Sequence, residues 1–456
     1  MLRRLLPVLA LALLAAPAAR AAEPVTVRIV PPFPLERYAG QGAVGLLVPG
    51  AGPTVTRESA LAALVRGKVR SSLLPGKPAG PPLLELDGRP RPVLVYVSLP
   101  PPGRSENDVR YPIAVVGPGF HGLLTSTSTR IPGLVSVADI ATGRLRSRAD
   151  ADPVPRLERL ERRIDRNDRF RLPATILVAL AVAALAFVRP RLAARALLVA
   201  LAANLWLAPW LAALAGLLAL VLPLGGACAA ILLAYLVSMG LDAETVALSP
   251  LGPSQAGRFY GVTNLLETLL LVPALLGTTL LRRTPAVAVG VAALALVAIG
   301  GNRFGADGGG LVVLAAGLGV LWLRLRGRSL TPRLLAGVAV VAAAGALLLL
   351  GLDAATGGSS HVTRAVGNGP ASVVREIGDR LELSVRRTLD STGASLVMLL
   401  GLAALAGVAT RKRRDPLTDA YLAALAVSLV LNDTPADVVG PGAACAFLLF
   451  RLRVGG

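Results

Sequence analysis

Polar and charged side chains interrupt the apolar second half of this sequence at a few places, and their types suit the binding of an anion. The segment GRFYGVTNLLE carries Arg258, Tyr260, Asn264 and Glu267, and the last three, at i, i+4 and i+7, share one face if the segment is helical. Arginine binds phosphate or carboxylate through paired hydrogen bonds. A carboxylate at the mouth of a membrane span is costly to bury and is therefore a functional candidate, here for orienting arginines or carrying protons.

Other loops contribute similar residues, and topology predicts that all of them lie on one side of a membrane. The complete set of substrate-binding candidates is Asp242, Glu244, Arg258, Tyr260, Asn264, Glu267, Asn302, Arg303, Asp307, His361, Arg364, Asn432 and Asp433. One interpretation is a single outward-facing polar cavity for a substrate that bears phosphate or carboxylate. The other is a set of ordinary capped loop ends and internal salt bridges, and the sequence leaves both open.

The composition predicts the elements that must position these residues. Of 456 residues, 54% are hydrophobic and only 16% are charged, with a mean hydropathy of +0.65, which excludes one large soluble enzyme. The net charge is +20, and 44 of the 47 basic residues are arginine. Aromatic residues make up only 4%, and the arginines flank apolar runs, so the charge indicates membrane topology and not a nucleic-acid partner.

The pattern predicts an α-helical polytopic membrane protein with about 9–11 membrane segments. Apolar stretches cover roughly 172–188, 196–241, 262–281, 285–300, 308–323, 334–352, 395–410, 418–431 and 439–450. Basic loops alternate between them, at Arg189–Arg195, Arg282-Arg283, Arg324–Arg333, Arg411–Arg414 and the tail, and by the positive-inside rule they are cytoplasmic. The loops near 242–261, 301–307, 353–394 and 432–438 are then extracytoplasmic.

This topology contains a conflict of parity, because the sides predicted for the loops and the number of helices that fit between them disagree. If Arg189 is inside and Asp242 is outside, the stretch 196–241 must cross an odd number of times, although its length suits two helices. We therefore expect at least one discontinuous segment between 196 and 281. The expected breaks are at Pro223, followed by Gly225 and Gly226, and at Pro273.

The N-terminal third predicts an exported domain. Residues 1–22 resemble a signal peptide, with an uncleaved anchor as the alternative, and 23–154 form a small α/β domain. Predicted strands are Val25–Val30, Val93–Ser98, Tyr111–Val116 and Gly133–Val137, with a helix over Arg57–Val69. Residues 155–171 follow as an amphipathic linker helix lying on the membrane, and 172–456 are the multi-pass domain.

Other features of the sequence point less strongly to a function. The helical stretch Ala371–Leu389 alternates in charge and indicates an interfacial helix, and His361 at the start of its loop is a conceivable general base. The Gly117–Gly122 segment matches GxGxxG after a strand, but no helix is expected after it to hold a pyrophosphate. No cluster has zinc-like spacing, so neither a metal nor a cofactor is predicted.

The run YPIAVVGPGFHGLLTSTSTRIPGLVSVADIATG (111–143) resembles the C-terminal part of alkaline-phosphatase-superfamily domains. The motifs GRFYGVTN, GADGGG and NDTP resemble those of a group of bacterial polytopic proteins of unestablished activity, in which a phosphatase-like exported domain precedes the membrane helices. The superfamily's hydrolases hold two metal ions with several Asp and His residues, whereas this domain has one histidine, His121. The resemblance thus implies a truncated, inert domain that acts as a lid, a docking surface or a folding remnant.

The sequence favours a transporter-like protein of the bacterial cytoplasmic membrane that handles an anionic or lipid-linked envelope precursor. Arg258 and Arg303 would engage the negative groups, with Glu267 and Asp307 as their partners. An outer-leaflet glycosyl or phosphoryl transferase or ligase is the first alternative. The second is a non-catalytic membrane scaffold, whose exported domain docks an envelope enzyme. Expected partners are membrane lipids, the precursor and that enzyme.

Overall fold

The computed structural model describes residues 26–69, 71, 93–255, 258–301, 303–305, 308–355, 370–412 and 414–452, without the side chains of 346–355 and 370–377. The predicted signal peptide and the candidates Asn302, Asp307, His361 and Arg364 lie outside the described residues. The described chain forms two units. A small α/β unit contains the described chain up to Phe170 together with the later segment Pro253–Tyr260. A helical unit contains Arg171–Gly252 and the residues from Gly261 onward.

The small unit is built on a mixed β-sheet. Its elements, in chain order, are β1 (Thr26–Ile29), α1 (Glu36–Ala39), β2 (Ala43–Val48), β3 (Thr54–Thr56), α2 (Arg57–Arg66), β4 (Leu94–Val97), β5 (Arg104–Glu106), β6 (Tyr111–Val116), β7 (Gly122–Ser126), β8 (Leu134–Ser136), α3 (Ala138–Ala141) and β9 (Leu145–Arg148). The strand order in the sheet is β1-β4-β6-β2-β7-β9, and β8 also pairs with β2. Strands β1 and β4 are parallel, as are β2 with β7 and β8, whereas the remaining pairs in the sheet are antiparallel.

The predicted strands and helix of this unit are confirmed as β1, β4, β6, β8 and α2. Strand β2 was not predicted from the sequence, because AVGLLV is buried at every position and so lacks the alternation of a half-exposed strand. The GxGxxG segment is a turn between β6 and β7, and Gly119 and Gly122 adopt positive φ there. A strand follows this turn, in agreement with the absence of a pyrophosphate-binding helix.

The predicted linker helix is the first part of a longer helix. Helix α4 (Pro153–Val188) is continuous for 36 residues through Pro173. Its predicted apolar stripe of Leu157, Leu160 and Ile164 is buried. A Cβ at Gly133 would lie 2.5 Å from Leu157 Cδ2, so this stripe packs against the small unit.

The helical unit continues α4 with short and long helices. They are α5 (Pro190–Ala203), α6 (Pro209–Val221), α7 (Leu224–Leu241), α8 (Ala243–Ala247), α9 (Asn264–Leu280), α10 (Pro285–Gly300), α11 (Gly308–Leu325), α12 (Pro332–Ala355), α13 (Pro370–Leu389), α14 (Thr392–Ala409), α15 (Pro416–Leu431) and α16 (Pro435–Leu452). Within the described chain, α4, α7, α11, α14 and α16 are long and apolar enough to cross a membrane. The chain is therefore a helical membrane protein with a small α/β unit.

The basic loops meet at one end of this unit, which we call the arginine end. Arg195 Nη1 donates to the carbonyls of Ala219 and Leu220 at the C-terminus of α6, at 2.6 and 2.9 Å. Arg324 and Arg414 both lie 2.7 Å from Asp419 at the start of α15. The opposite end, which we call the polar end, carries Asp242, the start of α9, the turn at Arg303–Gly305 and the Asn432–Thr434 turn.

The conflict of parity is resolved by a short hairpin. Helices α5 and α6 have 14 and 13 residues and so reach only about 20 Å each. They leave the arginine end and return to it, after which α7 crosses to Asp242. The predicted break at Pro223 is confirmed, because α6 ends at Val221 and α7 begins at Leu224. The predicted break at Pro273 is wrong: α9 runs through it, and neighbours bury the helix on both sides of the proline.

Candidate functional site

Four predicted residues, Asn264, Glu267, Asn432 and Asp433, come together at the polar end. Asn264 and Glu267 lie in the first turn of α9, whose N-cap Thr263 accepts a hydrogen bond from the Leu266 amide. Asn432 and Asp433 lie in the turn between α15 and α16, which Pro435 terminates by starting a new helix. The two segments are 165 or more residues apart in sequence, and helix packing brings them together.

The outer layer of this site consists of Asn264, Asp433, Thr434 and an arginine from α13. Asn264 Nδ2 donates to Thr434 Oγ1 at 2.7 Å and to Asp433 Oδ1 at 3.4 Å. Arg387 Nη1 donates to Asp433 Oδ2 at 2.9 Å. The side chains of Arg387 and Asp433 are 29% and 32% exposed, so this ion pair lies partly at the surface.

The inner layer consists of Glu267, Asn432 and Ser428. Asn432 Nδ2 donates to Glu267 Oε2 at 3.2 Å and lies 2.7 Å from Ser428 Oγ. Glu267 and Ser428 are fully buried and Asn432 is 2% exposed. A carboxyl group at this depth in an apolar bundle is expensive to keep, which is why such groups commonly serve transport or proton transfer.

Helix α13 holds the turn through three side chains on one face. Arg380, Ser384 and Arg387, at i, i+4 and i+7, donate to the carbonyls of Leu431, Asn432 and Asp433 at 3.1, 2.9 and 3.0 Å. These carbonyls close the C-terminus of α15, where cations are favoured. The amphipathic helix therefore packs on the turn through its polar face. It leaves Leu381, Val385 and Leu389 exposed on another face.

Arg387, Thr434 and Ser428 were missed by the sequence reasoning. Arg387 lies in a helix whose balanced charges indicated only an interfacial surface. Its i, i+4, i+7 spacing from Arg380 and Ser384 was a usable signal. Thr434 and Ser428 carry no charge, and they enter the site only because Asn264 and Asn432 contact them.

The candidates Arg258 and Tyr260 belong to the small unit and not to this cluster. The expected helical face of Tyr260, Asn264 and Glu267 is wrong, because Gly261 has a φ of +82° and α9 begins only at Asn264. In the small unit the Arg130 guanidinium lies 3.9 Å from the centre of the Tyr260 ring, a cation–π contact.

The remaining described candidates lie elsewhere at the polar end. Asp242 caps α8 and accepts a hydrogen bond from the Glu244 amide at 2.9 Å, and Glu244 is buried. Asp242 also lines a cavity of about 230 Å³ with Trp210, Ser238 and Thr245, which is smaller than the usual ligand pocket of roughly 300 Å³ or more. Arg303 is exposed in the turn after α10. Within the described chain, no group of three His, Cys, Asp or Glu residues could hold a metal ion.

Asn204 is 5% exposed and organises a second network. Its Nδ2 donates to Tyr235 OH at 3.1 Å and to Ser249 Oγ at 2.9 Å, while its Oδ1 accepts from the Leu251 amide at 3.0 Å. All of its hydrogen bonds fix the turn between α5 and α6 to α7 and to the segment after α8. This residue has a structural role.

The STSTR segment that carries the phosphatase resemblance is also internal. Ser128 Oγ donates to Asp139 Oδ2 at 2.6 Å, and the Ser136 amide donates to the same oxygen at 2.9 Å. Asp139 is 1% exposed. These bonds tie the turn after β7 to the start of α3. No family model, curated protein or solved structure matches this chain.

Proposed function

We propose that this chain is a transporter-like protein of the bacterial cytoplasmic membrane, and that it binds an anionic, lipid-linked envelope precursor at its polar end. The observation that carries the proposal is the two-layer cluster in which Arg387 meets Asp433 above the buried Glu267–Asn432 pair. A charged group at the surface and a carboxyl group beneath it are what a coupled anion transporter needs.

Arg387 replaces Arg258 as the anion-binding residue in this proposal. In the described contacts only its Nη1 bonds to Asp433. Its Nε and Nη2 are therefore available to bind a phosphate through two parallel hydrogen bonds. Asp433 then serves as the placeholder that keeps the guanidinium in position when no substrate is bound. An incoming phosphate competes with Asp433 for Arg387. Asn264 Nδ2 can donate a hydrogen bond to either the phosphate or Asp433.

Glu267 is the coupling residue. When it is ionised, its Oε2 accepts a hydrogen bond from the Asn432 amide, and when it is protonated it can donate a hydrogen bond itself. Displacement of Asp433 by substrate moves the neighbouring Asn432 and so changes the environment of Glu267. Arg303 remains a second candidate for the anion, because it is exposed at the same end.

The orientation follows from the positive-inside rule. The arginine end collects Arg195, Arg324, Arg414 and Arg451, so it faces the cytoplasm and the polar end faces outward. The small unit then lies outside the cell as a truncated, inert relative of the phosphatase superfamily. There it acts as a lid or docking surface.

The test is lipid analysis of a strain that lacks this chain. Accumulation of a lipid-linked envelope intermediate in the inner leaflet is the expected result, because the precursor would no longer be moved outward. Accumulation in the outer leaflet would contradict transport and favour an outer-leaflet transferase. No accumulation would contradict both activities and favour a scaffold.

A further inference from the structure

A second basic site lies at the arginine end, away from the polar cluster. Arg189, Pro190, Arg191, Leu192 and Leu452 line an open cavity of about 420 Å³. We call it the Arg189 cavity. Nothing in the proposed transport cycle uses it.

The local sequence explains why two arginines stand at this position. A residue that precedes proline is driven out of the α-helical conformation, and Arg189, with φ −139° and ψ 82°, ends α4 there. Pro190 then begins α5 at the position where its missing N–H costs nothing. The Arg-Pro-Arg sequence therefore puts a charged residue on each side of a break between two apolar helices.

Within the described chain, neither Arg189 nor Arg191 forms an ion pair or a side-chain hydrogen bond. The sequence has no Asp or Glu from Arg169 to Leu241 or from Val438 to Gly456. Arg451 adds a third positive charge nearby, since its Nη2 donates to the Phe187 carbonyl at 3.0 Å. An anion that enters the cavity therefore displaces no existing salt bridge.

The surroundings of the cavity are apolar and exposed. Phe187 and Val188 at the end of α4 are 67% and 72% exposed, and Leu192 at the start of α5 is 46% exposed. In a membrane-spanning unit such side chains face acyl chains. The site thus combines unpaired arginines with a lipid-facing apolar wall, which is the chemistry of a phosphodiester attached to two acyl chains.

We infer that the Arg189 cavity binds the headgroup phosphate of an anionic phospholipid of the surrounding leaflet. Arg189 and Arg191 hold the phosphate oxygens, and the acyl chains follow the exposed side chains of α4 and α5. Anionic lipid then bridges the break between these two helices. Zwitterionic lipid, whose ammonium group would meet the same arginines, binds less well.

The test is native mass spectrometry of the full chain in detergent, titrated with dioleoylphosphatidylglycerol or dioleoylphosphatidylcholine. We expect preferential retention of phosphatidylglycerol, and Arg189→Gln with Arg191→Gln should weaken it about 30-fold. The matched control is Arg282→Gln with Arg283→Gln, which removes the same charge from another exposed loop at this end and should change retention by less than about twofold. Arg189→Lys with Arg191→Lys should retain most of the binding.

Three results would overturn the inference. Equal losses in the two Gln variants would show attraction to general positive charge and no site. Equal retention of the two lipids by the wild type would show that binding does not depend on a negatively charged headgroup. Displacement of phosphatidylglycerol by excess sodium phosphate would assign the cavity to a free anion. The unfolding temperature of each variant in detergent, which should stay near that of the wild type, shows whether a loss reflects unfolding.

Discussion

Arg387 Nη1 bonds to Asp433 twice, through Oδ2 at 2.9 Å and through the main-chain oxygen at 3.0 Å. These two bonds join α13 to the turn between α15 and α16 across 46 residues of sequence. Because the ion pair is about 30% exposed, it is accessible to a competing anion and screened by water. The proposed exchange of Asp433 for a substrate anion depends on this exposure.

The ion pair should contribute little to stability. We expect a coupling free energy below about 1 kcal/mol between Arg387→Gln and Asp433→Asn, because solvent screens partly exposed pairs. The measurement is thermal unfolding of the wild type, both single variants and the double variant in nanodiscs. A coupling of several kcal/mol would mean that the pair is a structural lock and not a binding group.

The two ends of the helical unit should lie on opposite sides of the membrane. Arg303→Cys should react with a membrane-impermeant maleimide in intact cells, whereas Arg283→Cys should react only after the membrane is permeabilised. Both positions are exposed, and the native Cys228 and Cys445 are buried, so background labelling should be low. The reverse pattern would invert the orientation, and labelling of both in intact cells would contradict a two-sided arrangement.

Asn204→Ala should destabilise the helical unit by about 1–3 kcal/mol, because it leaves the buried Leu251 amide and Tyr235 hydroxyl each without one hydrogen-bond partner. Thermal unfolding in nanodiscs measures the loss. Arg303→Ala, at an exposed position, serves as the control and should lie within about 0.5 kcal/mol of the wild type. An unchanged Asn204 variant would show that the network does not hold the α5–α6 turn.

Substitutions of Gly133 and Gly119 distinguish the cost of backbone strain from the cost of packing in the small unit. Both have positive φ, +94° and +81°, but a Cβ at Gly133 would lie 2.5 Å from Leu157 Cδ2, whereas Gly119 has open space. Gly133→Ala should therefore cost about 1–3 kcal/mol more than Gly119→Ala, as overpacking does. Chemical denaturation of the full chain measures both. Equal costs would contradict the packing of the linker helix against this glycine.

The sequence predicted the elements of the fold better than their environments. Periodicity and turn residues predicted β1, β4, β6, β8 and α2, since each shows its pattern locally. The amphipathic stripe of Leu157, Leu160 and Ile164 was predicted, but its partner was not, because a stripe specifies an apolar neighbour without naming it. The sequence marks Pro273 as a break because it does not show how tightly neighbours pack around a helix.

The site was predictable only in part, for a similar reason. Asn264, Glu267, Asn432 and Asp433 stand out as polar residues at the ends of apolar runs, so a sequence alone selects them. Their pairing depends on which helices pack together, and Arg387 enters only through the position of α13. Arg258 and Tyr260 lie a few residues before Asn264, yet they belong to the other unit. Proximity in sequence was a poor guide there.

The role of Arg387 in substrate binding is tested by comparing two adjacent arginines in a strain that lacks this chain. Arg386 is exposed and pairs with Glu382 on its own helix, whereas Arg387 bonds to Asp433. Complementation with Arg386→Gln should restore the lipid-linked envelope intermediate to its wild-type level. Complementation with Arg387→Gln should leave it accumulated in the inner leaflet, at equal protein abundance. Equal complementation by both variants would contradict a role for Arg387 in binding the substrate.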